Sequence, residues 1–206
     1  MVSTIELESF ARIQREVDFT HLGRDAAEIA ARIIHATGDT GIIADLTIDE
    51  EAIQRSVWGI QHEVPIVVDV RMLAAGLSNL RSFVAIDASG DPTDAIDQAV
   101  PPSARTRSYR GMSVLLHKLA GTSPIIAIGS APTALRAVLA HVEETAPLAV
   151  IGMPVGFVDA VESKAALRAS GIPAITSISR RGGSPMAAAA LNALALVAHG
   201  EYRLGS

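Results

Sequence analysis

The sequence predicts an α/β fold of three layers, a parallel sheet of about five strands with helices on both faces, and three observations carry that expectation. Short β-branched runs recur along the chain: "PIVVDV" (65–70), "FVAI" (83–86), "PIIAIG" (124–129), "LAVIG" (148–152) and "PAITSI" (173–178). Segments of helical period separate most of them, and strands alternating with helices build a parallel sheet covered on both sides. The 206 residues are 49% apolar and show no repeat, linker or shift in composition, so one domain over 1–206 with a well-filled core is expected.

Taken in order, residues 4–17 and 25–37 carry a helical period, and 48–61 carries a fainter one. Further helices are expected at 93–99, 105–120, 132–143, 159–170 and 185–199. Asp25 with Glu28, and Asp159 with Glu162, each place an acid at a helix start and another three residues on, which suits capping and the positive helix end. Gly38 and Gly171 follow helical runs and suit the left-handed residue that closes a helix. Ser184 before Pro185 reads as a cap and a first-turn proline, so the last helix starts just after Gly183.

Composition narrows the function classes. A net charge of −5 with 3% aromatics leaves neither a basic stripe for phosphates nor stacking platforms, so no nucleic-acid partner is expected. The chain has no cysteine, which removes thiolate chemistry and fits a reducing cytoplasm. "MVSTIELESFARIQREVD" carries acids and a helical period where an export signal would be basic and apolar. The longest apolar run, the alanine helix broken by Asn192, is too short to span a bilayer, so no membrane partner is expected either.

Ligands of open parallel sheets bind beyond the carboxyl ends of the strands. Those ends carry "DVR" (69–71), "GSAPTAL" (129–135), "GMPVGF" (152–157) and "SISRRGGS" (177–184), none of which is a nucleotide-phosphate fingerprint. The last of them admits two readings. Gly182 and Gly183 can simply turn the chain while Arg180 and Arg181 sit in water. Alternatively, the amides of the glycines, Met186 and Ala187 converge on an anion at the helix start, and the arginines close on it. The residues alone leave the two even. "SARTRSYR" (103–110) is a second basic patch at a helix start, where arginine is electrostatically awkward and an anion would relieve it.

Of six histidines, five show no metal-ligand spacing. His35 stands in the last turn of helix 25–37, where the negative helix end favours the protonated form and Arg32 opposes it unless an acid lies between them. On the residues alone it reads first as an exposed helical histidine, with a general acid as the alternative. No Ser–His–Asp order, paired-carboxylate spacing or H-E-x-x-H motif is present.

The stretch "PVGFVDAVESKAALRASGIPAITSISRRGGSPMAAAALNAL" (154–194) closely resembles the precorrin-8X methylmutase family, the corrin-ring isomerases of cobalamin biosynthesis. "IELESFARI" (5–13), "RIIHATGD" (32–39), "PIVVDVRMLAAG" (65–76), "TRS" (106–108) and "IGSAPTAL" (128–135) follow in family order. The resemblance implies a flavodoxin-like fold, a homodimer, no cofactor and no added metal. It implies migration of a methyl group from C-11 to C-12 of precorrin-8X or cobalt-precorrin-8. By resemblance His35 is the catalytic residue, and Ser9, Arg32 and Arg107 contact substrate. The loops 129–133, 152–156 and 180–184 form the pocket, with Ser130, Thr133, Gly156, Arg181, Gly182, Gly183 and Ser184 as substrate-binding residues. On this view the arginine loop holds the carboxylate arms of the pigment. Ser130 departs from the asparagine common there, Asp159 from a small residue, and the stretch before the first helix is short. A non-catalytic corrinoid carrier is the competing reading, and an enzyme for another small anion is a third.

Overall fold

The five β-branched runs become strands of one sheet, and a sixth strand that the sequence did not announce closes one edge. The computed structural model describes residues 4–90 and 106–205. Its strands are β1 Leu46–Ile48, β2 Ile66–Val68, β3 Phe83–Val84, β4 Ile125–Ile128, β5 Ala149–Gly152 and β6 Ala174–Ser177, in the spatial order β1-β6-β5-β4-β2-β3. β2 to β6 run parallel, whereas β1 lies antiparallel to β6 with Leu46 opposite Ser177. β1 escapes sequence reading because three residues show no period, and they adjoin a helix that was expected from residue 48. That helix begins at Glu50 instead, where Asp49 caps it by accepting from the Glu51 amide at 2.9 Å.

The helices are α1 Thr4–Glu16, α2 Arg24–Thr37, α3 Glu50–Gln61, α4 Arg71–Ala75, α5 Arg107–Lys118, α6 Pro132–Ala140, α7 Val142–Thr145, α8 Ala160–Ala169 and α9 Ser184–Ala198. The helix expected at 93–99, residue 105 of the one expected at 105–120, and residues 103–105 of the basic patch lie outside the described residues. The run expected as one helix over 132–143 is broken at His141 into α6 and α7. Among the described residues no helix is long and apolar enough to cross a membrane.

Alternation along each strand feeds two cores. Ile125 and Ala127 of β4 pack with α2, α3 and α9, while Ile126 and Ile128 face α5, α6 and α8. α9 lies between α2 and α3, and its alanines let it sit close to both. Ile29 and Ile33 of α2 have no exposed surface, and truncating either to alanine would cost about 2–5 kcal/mol.

Three expected caps take other partners. Asp25 accepts from the Tyr202 hydroxyl at 2.8 Å, and Glu28, fully buried, accepts the amides of Arg203 and Leu204, so this pair ties down the C-terminal tail. Asp159 stands at the start of α8 but makes no cap bond; its carboxylate receives Arg136 in a forked pair. Ser184 lies inside the first turn of α9, whose cap position is Gly183. For Asp25, Glu28 and Asp159 a tertiary donor outcompetes the local amide. Gly38 (φ 65) and Gly171 (φ 75) do take left-handed conformations at their helix ends.

Because β2, β4, β5 and β6 are parallel, the segments that follow them gather at one end of the sheet. That end carries the site.

Candidate active site

α1 and α2 build one wall. Glu6, Ser9, Phe10 and Ile13 recur at helical spacing on α1, and the buried Phe10 and Ile13 seat it on the core. On α2, Arg32, His35 and Ala36 form a strip beside the buried face of Ile29 and Ile33. They border a cleft of about 300 Å³ whose far side is Ser184, Pro185, Ala188 and Ala189 of α9, with Met72 and Gly76 beside them. The floor is apolar and the polar groups stand at one edge.

His35 is exposed and doubly held. Its ring stacks on Phe10 with centroids 5.2 Å apart, and its Nδ1 lies 2.8 Å from Ser9 Oγ. Among the described residues Nε2 has no partner. A neutral ring accepts the Ser9 proton at Nδ1 and carries its own proton on Nε2; an imidazolium donates to Ser9 through Nδ1 and still carries a proton on Nε2. In the imidazolium, and in the neutral tautomer protonated on Nε2, that nitrogen is the donor left for a ligand; the other neutral tautomer donates to Ser9 from Nδ1 and leaves Nε2 an acceptor. The acid required beside Arg32 is Glu6, which receives Arg32 Nη2 at 3.0 Å. Arg32 also lies 5.4 Å over the Phe10 ring, and its Nε is buried without a partner. Ser184, only 3% exposed, likewise borders the cleft with an unpartnered hydroxyl.

The structure thus brings Ser9, Arg32, His35 and Ser184 together. The other expected residues do not line the cleft. Arg181 reaches Asp39 at 3.4 Å and the Gly41 carbonyl at 3.5 Å, just beyond the end of α2. Arg107 is exposed at the start of α5 and does not border the cleft. Thr133 gives its hydroxyl to a 2.7 Å bond with Thr106, which caps α5. Gly156 donates to the Arg180 carbonyl at 3.4 Å, and Arg180 lies 5.2 Å over the ring of Phe157, which is 86% exposed.

Backbone donors in two of these loops are engaged inside the protein. The amides of Gly129, Ser130 and Ala131 are all taken by the carboxylate of Asp69, at 3.1, 2.7 and 3.1 Å. Asp69 has no exposed surface, and burial pushes its carboxyl above the usual range despite these three donors. In the arginine loop, Gly183 donates to the Met153 carbonyl at 2.8 Å, and Ala187 donates to the Gly183 carbonyl at 3.1 Å. The first-turn amides of Ser184 and Met186 are the ones without an intrahelical partner. The close approaches the glycines permit are internal. A Cβ on Gly129 would come within 2.6 Å of Ser184 Cα, and one on Gly182 within 2.4 Å of the Met153 carbonyl oxygen.

Sequence reasoning missed Met72 and Asn192. Asn192 accepts from the Ser78 amide and donates to the Gly76 carbonyl, both at 2.8 Å, and so clamps the loop beside the cleft. A lone amide side chain in an alanine helix was the available signal. Among the described residues no group of three or more His, Asp or Glu is arranged to hold a metal.

Comparison with known proteins meets this geometry. A family model described as precorrin-8X methylmutase matches residues 4–197. The chain is 35% identical to a precorrin-8X methylmutase of Sinorhizobium sp. over 195 residues, covering 91% of this chain and 90% of that protein. It is 34% identical to a cobalt-precorrin-8 methylmutase of Synechocystis sp. over 216 residues, covering 96% of each. The solved precorrin-8X methylmutase of Thermus thermophilus superposes with a TM-score of 0.81 at 29% identity, covering 96% of this chain and 98% of that one. With the strand runs, the arginine loop and the histidine helix all inside the matched span, the chain belongs to the precorrin-8X methylmutase family.

Proposed function

We propose that this chain, acting as one domain over 1–206, is an isomerase that moves a methyl group from C-11 to C-12 of precorrin-8X, or of cobalt-precorrin-8. The observation that carries the reading is His35 at the edge of an apolar cleft, with Nδ1 held by Ser9 and Nε2 left for a ligand. Nε2 protonates, or hydrogen-bonds to, an imine nitrogen of the macrocycle. That draws electron density from the conjugated system and eases the shift of the methyl group. The methyl never leaves the molecule and the proton returns to Nε2, so substrate and product contain the same atoms and no cofactor is consumed. Phe10 and Ser9 fix the imidazole, which matters because a misplaced acid loses much of its effect.

The apolar floor suits the flat face of a tetrapyrrole. Its acetate and propionate arms meet Arg32 and Ser184 at the cleft and extend beyond it toward Gly182, Gly183 and Arg181, with Arg107, Ser130, Thr133 and Gly156 as further contacts outside the cleft. A cleft of about 300 Å³ covers only part of such a ring, and we propose that a second copy of the chain supplies the remaining wall in a homodimer. A cytoplasmic setting fits a chain without cysteine.

The test is to add precorrin-8X to purified protein and follow the visible spectrum. The parent converts the chromophore, and His35→Ala binds it but turns over roughly 100- to 10,000-fold more slowly. Parental turnover by His35→Ala would remove the assigned acid. A bound spectrum that never changes, even with the parent, would make the chain a carrier.

A further inference from the structure

Lys164 sits in the middle of α8 with 0% exposed surface, and nothing in "ESKAALR" marks it for burial. A buried ammonium is costly unless each proton meets an acceptor, and a lysine of purely structural use is readily replaced by an apolar side chain. Here three protons meet three acceptors. Nζ donates to Ser177 Oγ at 2.8 Å, to the Arg181 carbonyl at 2.7 Å and to the Ser179 carbonyl. Ser177 passes its own proton to the Arg181 carbonyl at 2.7 Å, and Arg168, one turn along α8, donates to the Ser177 carbonyl at 3.1 Å. From the opposite side the Asp45 carboxylate accepts from Ser179 Oγ at 2.6 Å, and its backbone carbonyl accepts from the Ile178 amide at 2.8 Å.

We infer that Lys164 is a positioning residue for substrate binding: its ammonium gathers the carbonyls of Ser179 and Arg181 inward and so sets the course of the arginine loop into the first turn of α9 at the cleft. A turn has carbonyls and amides to dispose of, and those drawn to a buried cation cannot repel an anion on the other side. What remains outward is the half-exposed guanidinium of Arg181, while the Ser184 hydroxyl, buried and unpartnered among the described residues, borders the cleft in the first turn of α9. Burial lowers the lysine to about 8, with Asp45 working against that fall, so the ammonium persists at neutral pH. The identity of the anion rests on the reading under Proposed function; the ordering of the loop does not.

Lys164→Met, close in length and apolar, is compared with the parent in two measurements. In hydrogen exchange on the free protein, amides 178–183 exchange about tenfold faster in the variant while the strands are unchanged. With precorrin-8X, KM rises about tenfold and kcat stays within roughly twofold, the pattern of lost binding without lost chemistry. Unchanged exchange together with unchanged KM would overturn the inference, as would a fall in kcat at constant KM. If Lys164→Met does not fold, Ser177→Ala removes one acceptor and leaves the lysine; a rise in KM of about threefold supports the inference and parental KM with parental exchange refutes it. A parent that neither binds nor converts precorrin-8X defeats the functional reading instead, and the exchange data still decide whether the lysine orders the loop.

Discussion

Two loops at the same end of the sheet are each organised by one buried charge, and the charges are opposite. Asp69, just past β2, gathers the amides of Gly129, Ser130 and Ala131. Lys164, on α8, gathers the carbonyls of Ser179 and Arg181. The first loop has therefore spent its donors inside the protein, and the second has spent its acceptors. The second keeps the Arg181 guanidinium on its outer side, although the amides of Arg181 and Gly183 are bonded to Ser179 Oγ and the Met153 carbonyl, and it leads into α9, whose first turn borders the cleft. Two glycine-bearing loops that look alike in sequence thus differ in what they offer an anion. The sign of the buried partner makes the difference.

The strongest way to break this comparison is Asp69→Ala. It strands one buried and two half-buried amides, so unfolding in urea should show a loss of about 3 kcal/mol. A loss under about 1 kcal/mol would mean that the loop re-pairs with water and that Asp69 does not organise it. Gly182→Ala comes next. Its Cβ would press on the Met153 carbonyl oxygen, and forced overpacking of this kind costs about 1–3 kcal/mol, read as a lowered melting temperature with weakened corrinoid binding.

A pH titration sharpens the contrast further. The charged groups facing Lys164 are Asp45 and Arg168. With its folded value near 8 and its ordinary value at 10.5, the folded chain holds fewer protons here than the unfolded chain between those limits. The contribution of this site to stability is therefore lowest below pH 8 and rises toward pH 10.5. Loop order moves the other way, because the cation is lost. Corrinoid affinity of the parent should fall several-fold from about pH 7 to about pH 9 and that of Lys164→Met should stay flat; parallel curves would separate the lysine from binding. The smallest expected effect is Ser9→Ala. Losing one hydrogen bond to Nδ1 should lower kcat by about fivefold, near 1 kcal/mol, with stability unchanged. A kcat loss as large as that of His35→Ala would assign Ser9 more than an orienting role.

Legibility differed along the chain for physical reasons. The runs at 124–129 and 148–152 were readable because central parallel strands are apolar on both faces, and β4 and β5 are indeed wholly buried. β1 was not, since an edge strand of three residues borrows its stability from β6 and needs no pattern of its own. His35 was readable as a candidate from its place at a helix end. Its partners Ser9 and Phe10 came close to it only because α1 packs across α2. Asp25, Glu28 and Asp159 carried the right spacing for caps and were drawn instead to Tyr202, the C-terminal amides and Arg136. The spacing of an acid from a helix start is local, while the donor that wins it depends on what the fold brings near.

The residues by themselves settled the alternation of strands and helices and the family likeness, and raised an anion-binding loop as one of two readings, because periodicity, turn chemistry and motif order are properties of neighbours in the chain. Only the tertiary structure decided which loop keeps a guanidinium on its outer side, which acid neutralises Arg32, and that a lysine with no distinguishing context would lie buried among carbonyls. Those outcomes depend on desolvation and on partners far apart in sequence, and burial is set by packing that no local pattern encodes.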